Sequence, residues 1–271
     1  MENFLVVLQA MARLARIALH LLSGVFIVLL VYPHCGRLSR LRLKQRWSRR
    51  VLDILGVDLC VQGATVGALR VANHISWLDI FVINAALPST FVAKDDVRRW
   101  PVIGWLSRRT DTIFMRRDAH KAARNTALNV AACLEAGTDV AFFPEGTTSD
   151  GRQVLPFHGA LLQSAIHTGQ TVQPVLLRYT TASGAAADSP VYCGDTSLLA
   201  SMWRIAVTPG VTAQMLLLPA RRPDGLDRRT LARDLRADIS TALQAVMTGP
   251  ASRAEHESCR PAGVDFSNQA A

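Results

Sequence analysis

Apolar positions along the chain fall into two regimes. From Ile17 to Tyr32 the chain reads IALHLLSGVFIVLLVY, apolar on every side and broken only by His20 and Ser23. After about residue 64, short apolar runs alternate with stretches of helical period. ALRVAN (68–73), STFVAK (89–94), DTIFM (111–115), DVAFFP (139–144), TVQPVLLR (171–178) and TAQMLLLP (212–219) are rich in β-branched or aromatic residues and bounded by polar, Gly or Pro positions, which predicts strands. Between them, residues 119–136 place Ala123, Ala127, Val130 and Leu134 on one helical face, with Gly137 where a C-terminal cap belongs. Leu231, Leu235, Ile239 and Leu243 recur every four residues and predict a packing helix over 227–247. Strands alternating with helices predict an α/β fold, a mainly parallel mixed sheet flanked by helices. Ligands in such sheets gather where strands lead into helices.

The first regime reads as an N-terminal hydrophobic membrane-anchor helix. A full span needs about 20 apolar residues. The stretch is therefore either a short transmembrane helix or an anchor dipping into one leaflet. Pro33 ends it, and no acid occurs between Pro33 and Val51, while Arg37, Arg40, Arg42, Lys44, Arg46, Arg49 and Arg50 all fall there. Such a run marks the cytoplasmic side and attracts anionic headgroups at about 1 kcal/mol per basic residue. The expected organisation is a membrane anchor over 1–36, a basic amphipathic juxtamembrane segment over 37–63, an α/β domain over 64–248 and a disordered tail over 249–271. The expected location is the inner (cytoplasmic) membrane, with the α/β domain on its cytoplasmic face.

Composition agrees with this picture. The formal net charge is +9 and charged residues make up only 19%, below the roughly 25% of ordinary soluble domains, so a basic and greasy chain points to an anionic membrane surface or an anionic substrate. The basic run holds no aromatic but Trp47, which argues against nucleic acid. Five cysteines, an odd number without a CxxC pair, predict free thiols in a reducing compartment rather than a disulfide framework or a zinc site.

No GxSxG, GxxxxGK[ST], GxGxxG or HExxH occurs. The remaining candidates are polar groups that follow strands. His74 and Asp79 lie five apart in NHISWLD (73–79). That offset turns by about 140° on a straight helix, so the two could meet only with His74 in the turn before a helix and Asp79 in its first turn. The carboxylate would then hold one imidazole nitrogen and leave the other basic; the plainer alternative is a histidine capping a helix beside a surface acid. FPEGTTS (143–149) runs a buried strand into Glu145 and Gly146, with the hydroxyls of Thr147 and Thr148 beyond, and suits a ligand bearing hydroxyl or phosphate groups. Arg116 and Arg117 end DTIFMRR (111–117), where guanidinium groups could grip a phosphate. VQPV (172–175) brings Pro174 into a strand.

In this order and spacing the four segments resemble the membrane-associated glycerolipid acyltransferase family, which includes the bacterial 1-acyl-sn-glycerol-3-phosphate acyltransferases. That family carries NHxSxxD, GxxFIxR, FPEGTRS and a V-P strand in succession, and the resemblance covers roughly residues 65–220. Lys94 in FVAK and Gly104 in PVIG also fall where the family commonly has them. Asp111 stands where the family has Gly, and Thr148 where it has Arg, which removes an expected phosphate contact. The resemblance implies that His74 is a general base, oriented by Asp79, for attack of an acceptor hydroxyl on an acyl thioester. It implies that Glu145, Gly146, Thr147 and Thr148 bind the acceptor, and that Arg117, helped by Arg116, holds a phosphate. Lys94 and Pro174 join the substrate-binding set on the same ground. No cofactor and no metal are implied beyond the co-substrate, acyl-CoA or acyl carrier protein. The implied acceptor is a lysophospholipid, first of all 1-acyl-sn-glycerol-3-phosphate, giving phosphatidic acid. Alternatives are another lyso-lipid such as lyso-ornithine lipid, a thioesterase or lipase using Ser76, and a basic membrane adaptor without catalysis.

Overall fold

The computed structural model describes residues 2–115 and 120–248. Along the chain run helix α1 (Glu2–Phe26), continued by a wide turn (Ile27–Val31) and a short tight turn (Tyr32–His34), then α2 (Arg37–Leu55), β1 (Val57–Gln62), β2 (Leu69–Ala72), α3 (Asp79–Ala86), β3 (Thr90–Lys94), α4 (Ile103–Arg109) and β4 (Ile113–Met115). α5 (His120–Glu135), β5 (Val140–Phe142), α6 (Gln163–Thr168), β6 (Val172–Thr180), α7 (Leu198–Val207), β7 (Val211–Leu217) and α8 (Arg228–Thr248) complete it. Seven strands form one sheet in the order β1-β7-β6-β2-β5-β3-β4. Every neighbouring pair is parallel except β6 and β7.

The sheet alternates its side chains between two apolar layers. Leu69 and Val71 of β2 and Val172 of β6 pack with Ala127, Val130, Leu134, Leu231 and Leu235 from α5 and α8. Ala72 of β2 and Val175, Leu177 and Tyr179 of β6 face the opposite layer, with Leu52 and Leu55 of α2 and Val82 and Ile83 of α3. The expected faces of α5 and α8 are therefore the buried ones. Gly137 closes α5 at φ +67, its amide reaching Leu134 O at 3.0 Å.

The sheet begins earlier than residue 64. Gly56 (φ 74) ends α2 in the left-handed conformation that glycine adopts freely, and VDLCVQ then runs parallel to β7, from Val57 opposite Val211 to Gln62 opposite Leu216. The juxtamembrane segment thus supplies an edge strand of the α/β unit. It also spends part of its charge inside the protein. Arg37 donates to the carbonyls of Ala136 and Gly137, Arg40 to Tyr32 O at 3.1 Å, and Lys44 to Ser89 O and Thr110 O at 3.2 and 3.3 Å. Burial lowers the Lys44 pKa, with Asp111 opposing the shift. Arg42, Arg46, Arg49 and Arg50 stay exposed.

Helix α1 starts at Glu2, well before Ile17. The stretch Phe4–His34 is long and apolar enough to cross a membrane, by length and composition. Ala10, Ile17 and Gly24 recur every seventh residue as a buried stripe, while Phe4, Leu5, Leu8, Leu19, Leu22, Phe26 and Leu30 are exposed. The two polar interruptions mark the joint with α2. His20 stacks on Trp47 with centroids 4.8 Å apart, Trp47 Nε1 donates to His20 O at 3.2 Å, and Ser23 Oγ donates to the same carbonyl at 2.7 Å. Gly24 lets the two helices approach closely there, since a Cβ would meet the Trp47 indole at 3.0 Å.

Cys35, Cys133 and Cys193 are free thiols. Cys60 is disulfide-bonded, against the expectation from the odd cysteine count. The tail over 249–271 lies outside the described residues, as do Arg116 and Arg117.

Candidate active site

Three adjacent parallel strands, β5, β2 and β6, deliver their C-terminal ends to one rim of the sheet. β2 ends at Ala72, and Asn73 continues its ladder with a side chain: its amide donates to Leu177 O at 2.9 Å and accepts from Leu177 N at 2.7 Å. The backbone is thereby free to turn away, and His74 leaves the sheet.

Asp79 is the first residue of α3 and is fully buried. Its Oδ2 accepts from His74 Nδ1 at 2.8 Å, from Ile75 N at 2.7 Å and from Ser76 N at 2.9 Å. Its Oδ1 accepts from Tyr179 OH at 2.6 Å. The amides of Ile75 and Ser76 are backbone donors pointing into a tight turn, so the carboxylate fixes that turn and the imidazole together. The spacing of five works for the reason the sequence required: histidine in the turn, acid in the first turn of the helix. With its proton on Nδ1, the ring presents Nε2 as a base. Among the described residues no hydrogen bond reaches Nε2, and the side chain keeps 18% of its exposure. The ring lies flat on Phe143, centroids 3.9 Å apart and planes within 5°.

The loop after β5 is stitched to this turn. Glu145 Oε1 accepts from His74 N at 3.1 Å, and Ser149 N donates to His74 O at 2.8 Å. Glu145 is buried, and among the described residues no group within strict hydrogen-bond geometry reaches its Oε2. Burial pushes its carboxyl pKa from 4.5 up to about 7, against the amides of His74 and Leu155, while the Asp79 charge adds to the rise. Gly146 (φ +69) lets the loop pass His158, whose ring a Cβ would meet at 3.3 Å.

Of the residues expected at the site, His74, Asp79, Glu145 and Gly146 come together. Thr147 is exposed and Thr148 half-buried on the same loop. Lys94 ends β3 half-buried, further along the same rim. Pro174 is buried in the sheet opposite Val71, its carbonyl accepting from Leu218 N at 3.0 Å. Gly104 is architectural, since a Cβ would fall 2.6 Å from Val97 O. Ser76 is fully buried, and its Oγ accepts from Leu78 N at 3.2 Å, so its hydroxyl caps the turn. The sequence reading missed Tyr179 and Phe143. The signal for Tyr179 was a phenol on a strand face that is otherwise apolar, because a buried hydroxyl needs a partner.

Comparison with known proteins finds a matching family, curated relatives and a similar fold. The family described as Acyltransferase matches residues 60–178. The lyso-ornithine lipid O-acyltransferase of Pseudomonas aeruginosa is 36% identical over 206 residues, 75% of this chain and 79% of that one. The 1-acyl-sn-glycerol-3-phosphate acyltransferase of Neisseria meningitidis serogroup B is 38% identical over 181 residues, 65% of this chain and 71% of that one. The fold matches the crystal structure of the 1-acyl-sn-glycerophosphate acyltransferase PlsC from Thermotoga maritima, with a TM-score of 0.66, 21% identity, and coverage of 92% of this chain and 98% of that one.

Proposed function

The chain belongs to the acyltransferase family, and from that premise we propose that it moves an acyl chain from a thioester of coenzyme A or acyl carrier protein onto the free hydroxyl of a lysolipid. One observation carries the mechanism: His74, at the end of β2, is pinned through Nδ1 by a buried carboxylate, while its side chain stays partly exposed and, among the described residues, no hydrogen bond occupies Nε2. Nε2 removes the acceptor's hydroxyl proton as its oxygen attacks the thioester carbonyl carbon. The tetrahedral intermediate collapses, the C–S bond breaks, and the sulfur leaves with the proton that His74 returns. Asp79 stabilises the imidazolium formed in between. General base catalysis of this kind contributes about 10²–10⁴-fold.

Glu145 and Gly146 line the acceptor side. Thr147, Thr148 and Lys94 extend it, and Arg117 with Arg116 supplies the charge for a phosphate. The acceptor is 1-acyl-sn-glycerol-3-phosphate, as in the Neisseria relative's name, and the product phosphatidic acid. One observation favours a second acceptor: Thr148 places a neutral hydroxyl where the family's motif has arginine, and the Pseudomonas relative is named for lyso-ornithine lipid.

The enzyme works at the inner membrane from its cytoplasmic face. α1 lies along the body through its buried stripe and offers the rest of its surface to lipid. The exposed Arg42, Arg46, Arg49 and Arg50 on the neighbouring helix cannot enter hydrocarbon cheaply. α1 is therefore read as inserting into one leaflet, with those arginines among anionic headgroups.

The test is purified full-length protein with labelled acyl-CoA and, in parallel, 1-acyl-sn-glycerol-3-phosphate, lyso-ornithine lipid or no acceptor. Diacyl product is expected with one lysolipid and is lost in His74→Ala. Free fatty acid without an acceptor would identify a thioesterase, and full turnover in His74→Ala would reject the base.

A further inference from the structure

Among the described residues Asp79 Oδ1 has a single donor, the hydroxyl of Tyr179, at 2.6 Å. The three contacts to Oδ2 all come from within residues 74–76, but Tyr179 reaches in from β6, a hundred positions along the chain. Tyr179 is itself buried. We propose that Tyr179 is a positioning residue for acyl transfer, holding the Asp79 carboxylate against His74 and setting how strongly that carboxylate grips the imidazole. The inference rests on His74 being the base.

The argument is electrostatic. A carboxylate shares its charge among its donors, and each donor weakens its hold on the others. Removing the phenol leaves more of the charge for the imidazolium, so the ring keeps its proton to higher pH and the fraction able to act as base falls. The carboxylate also loses a tether to the sheet, so His74 is held less firmly. Burial, then the adjacent Asp79 charge, raises the Tyr179 pKa well above 10.0, so the hydroxyl stays a donor wherever the enzyme works.

Other charged and titratable groups nearby have partners away from the Asp79 carboxylate. Glu145, from the loop after β5, meets the backbone amide of His74 rather than its ring. Arg236 of α8 acts on Glu145. His158 lies against Gly146. Arg178, next to Tyr179, is bonded to Val246 O and Gly184 O.

The experiment is the pH dependence of kcat/KM for full-length Tyr179→Phe with acyl-CoA and whichever lysolipid the wild type accepts. The acidic limb is expected to move up by about half a pH unit. kcat is expected to fall roughly tenfold with KM little changed. In an Asp79→Asn background the same substitution should add little to the loss in kcat, because both act through one carboxylate. An unmoved limb, or full additivity with Asp79→Asn, overturns the proposal. Should Tyr179→Phe fail to fold, fluorotyrosine can be incorporated into Tyr32→Phe/Tyr192→Phe protein, leaving residue 179 as the one site. The stronger phenol donor should move the limb down, and an unmoved limb again overturns the proposal. His74→Ala separates the two levels. Retained turnover there defeats the base assignment, whereas an inactive His74→Ala beside an unmoved Tyr179→Phe limb defeats only the role of Tyr179.

Discussion

Replacing Asp79 by Asn isolates the charge from the geometry. Three donors converge on Oδ2, two of them backbone amides that cannot turn away. A carboxamide can meet them only with its oxygen, so the NH2 group must face Tyr179, whose hydroxyl oxygen can then accept. The ring of His74 keeps its hydrogen bond and its orientation. What disappears is a full negative charge beside the imidazolium that forms in the transition state. At an effective dielectric constant of about 20, two unit charges about 4 Å apart attract by roughly 4 kcal/mol. Losing most of that slows the chemical step by about 10²–10³-fold. In the ground state the imidazole is neutral, the attraction is absent, and substrate binding should hardly change. Steady-state kinetics on the purified variant, varying lysolipid and acyl-CoA separately, therefore should show the whole loss in kcat. A kcat within about threefold of wild type, or a loss carried by KM, would refute the role of the Asp79 charge.

Two further outcomes follow from other charges. The Glu145 carboxyl is raised from 4.5 to about 7 by burial, so the folded protein favours its protonated form. That preference is fully met below the unfolded value of 4.5 and is lost as pH rises through about 7. Glu145→Gln should flatten this part of the stability profile, read by denaturant unfolding at about pH 5 and about pH 8; a variant with the same pH slope as wild type contradicts the assignment. Replacing Arg42, Arg46, Arg49 and Arg50 together by Ala should weaken binding to anionic vesicles by about 4 kcal/mol at low salt, at ~1 kcal/mol each, with little change on neutral vesicles. Equal sedimentation of variant and wild type with anionic vesicles would place the membrane contact elsewhere.

How far the sequence could be read depended on the range of the interaction. α5 and α8 were legible because each buries one face, and a buried face repeats at helical spacing. The strands at the centre of the sheet were legible because they are covered on both sides. β1 was not, because Asp58 and Gln62 dilute a short edge strand that follows a basic helix, and only its pairing with β7 reveals it. The apolar run from Ile17 is shorter than α1 for a related reason: Arg13 and Arg16 break it, yet Arg13 lies on the protein side and donates to Ala206 O at 2.8 Å. Charge in the juxtamembrane run was overcounted because carbonyl groups at the ends of α4 and α5 claim Lys44 and Arg37. No local pattern foretells a lysine ending on a carbonyl many residues away.

The site divides along the same line. His74 and Asp79 lie within one turn, and their spacing already specified the geometry in which they could meet. Glu145 lies in a recognisable loop, but its contact with the His74 amide depends on β5 and β2 being neighbours, and that of Tyr179 with Asp79 on β6 lying on β2's other side. The central position of β2 is thus a chemical requirement as well as a topological one. A carboxylate withdrawn from water must be given donors in its place, because an unsatisfied buried charge costs several kcal/mol. One short turn supplies three donors, all directed at one oxygen. The other oxygen can be satisfied only by a neighbouring strand. A histidine turn at the edge of the sheet would have a neighbouring strand on one side alone, and could not be stitched to Glu145 and braced by Tyr179 at once.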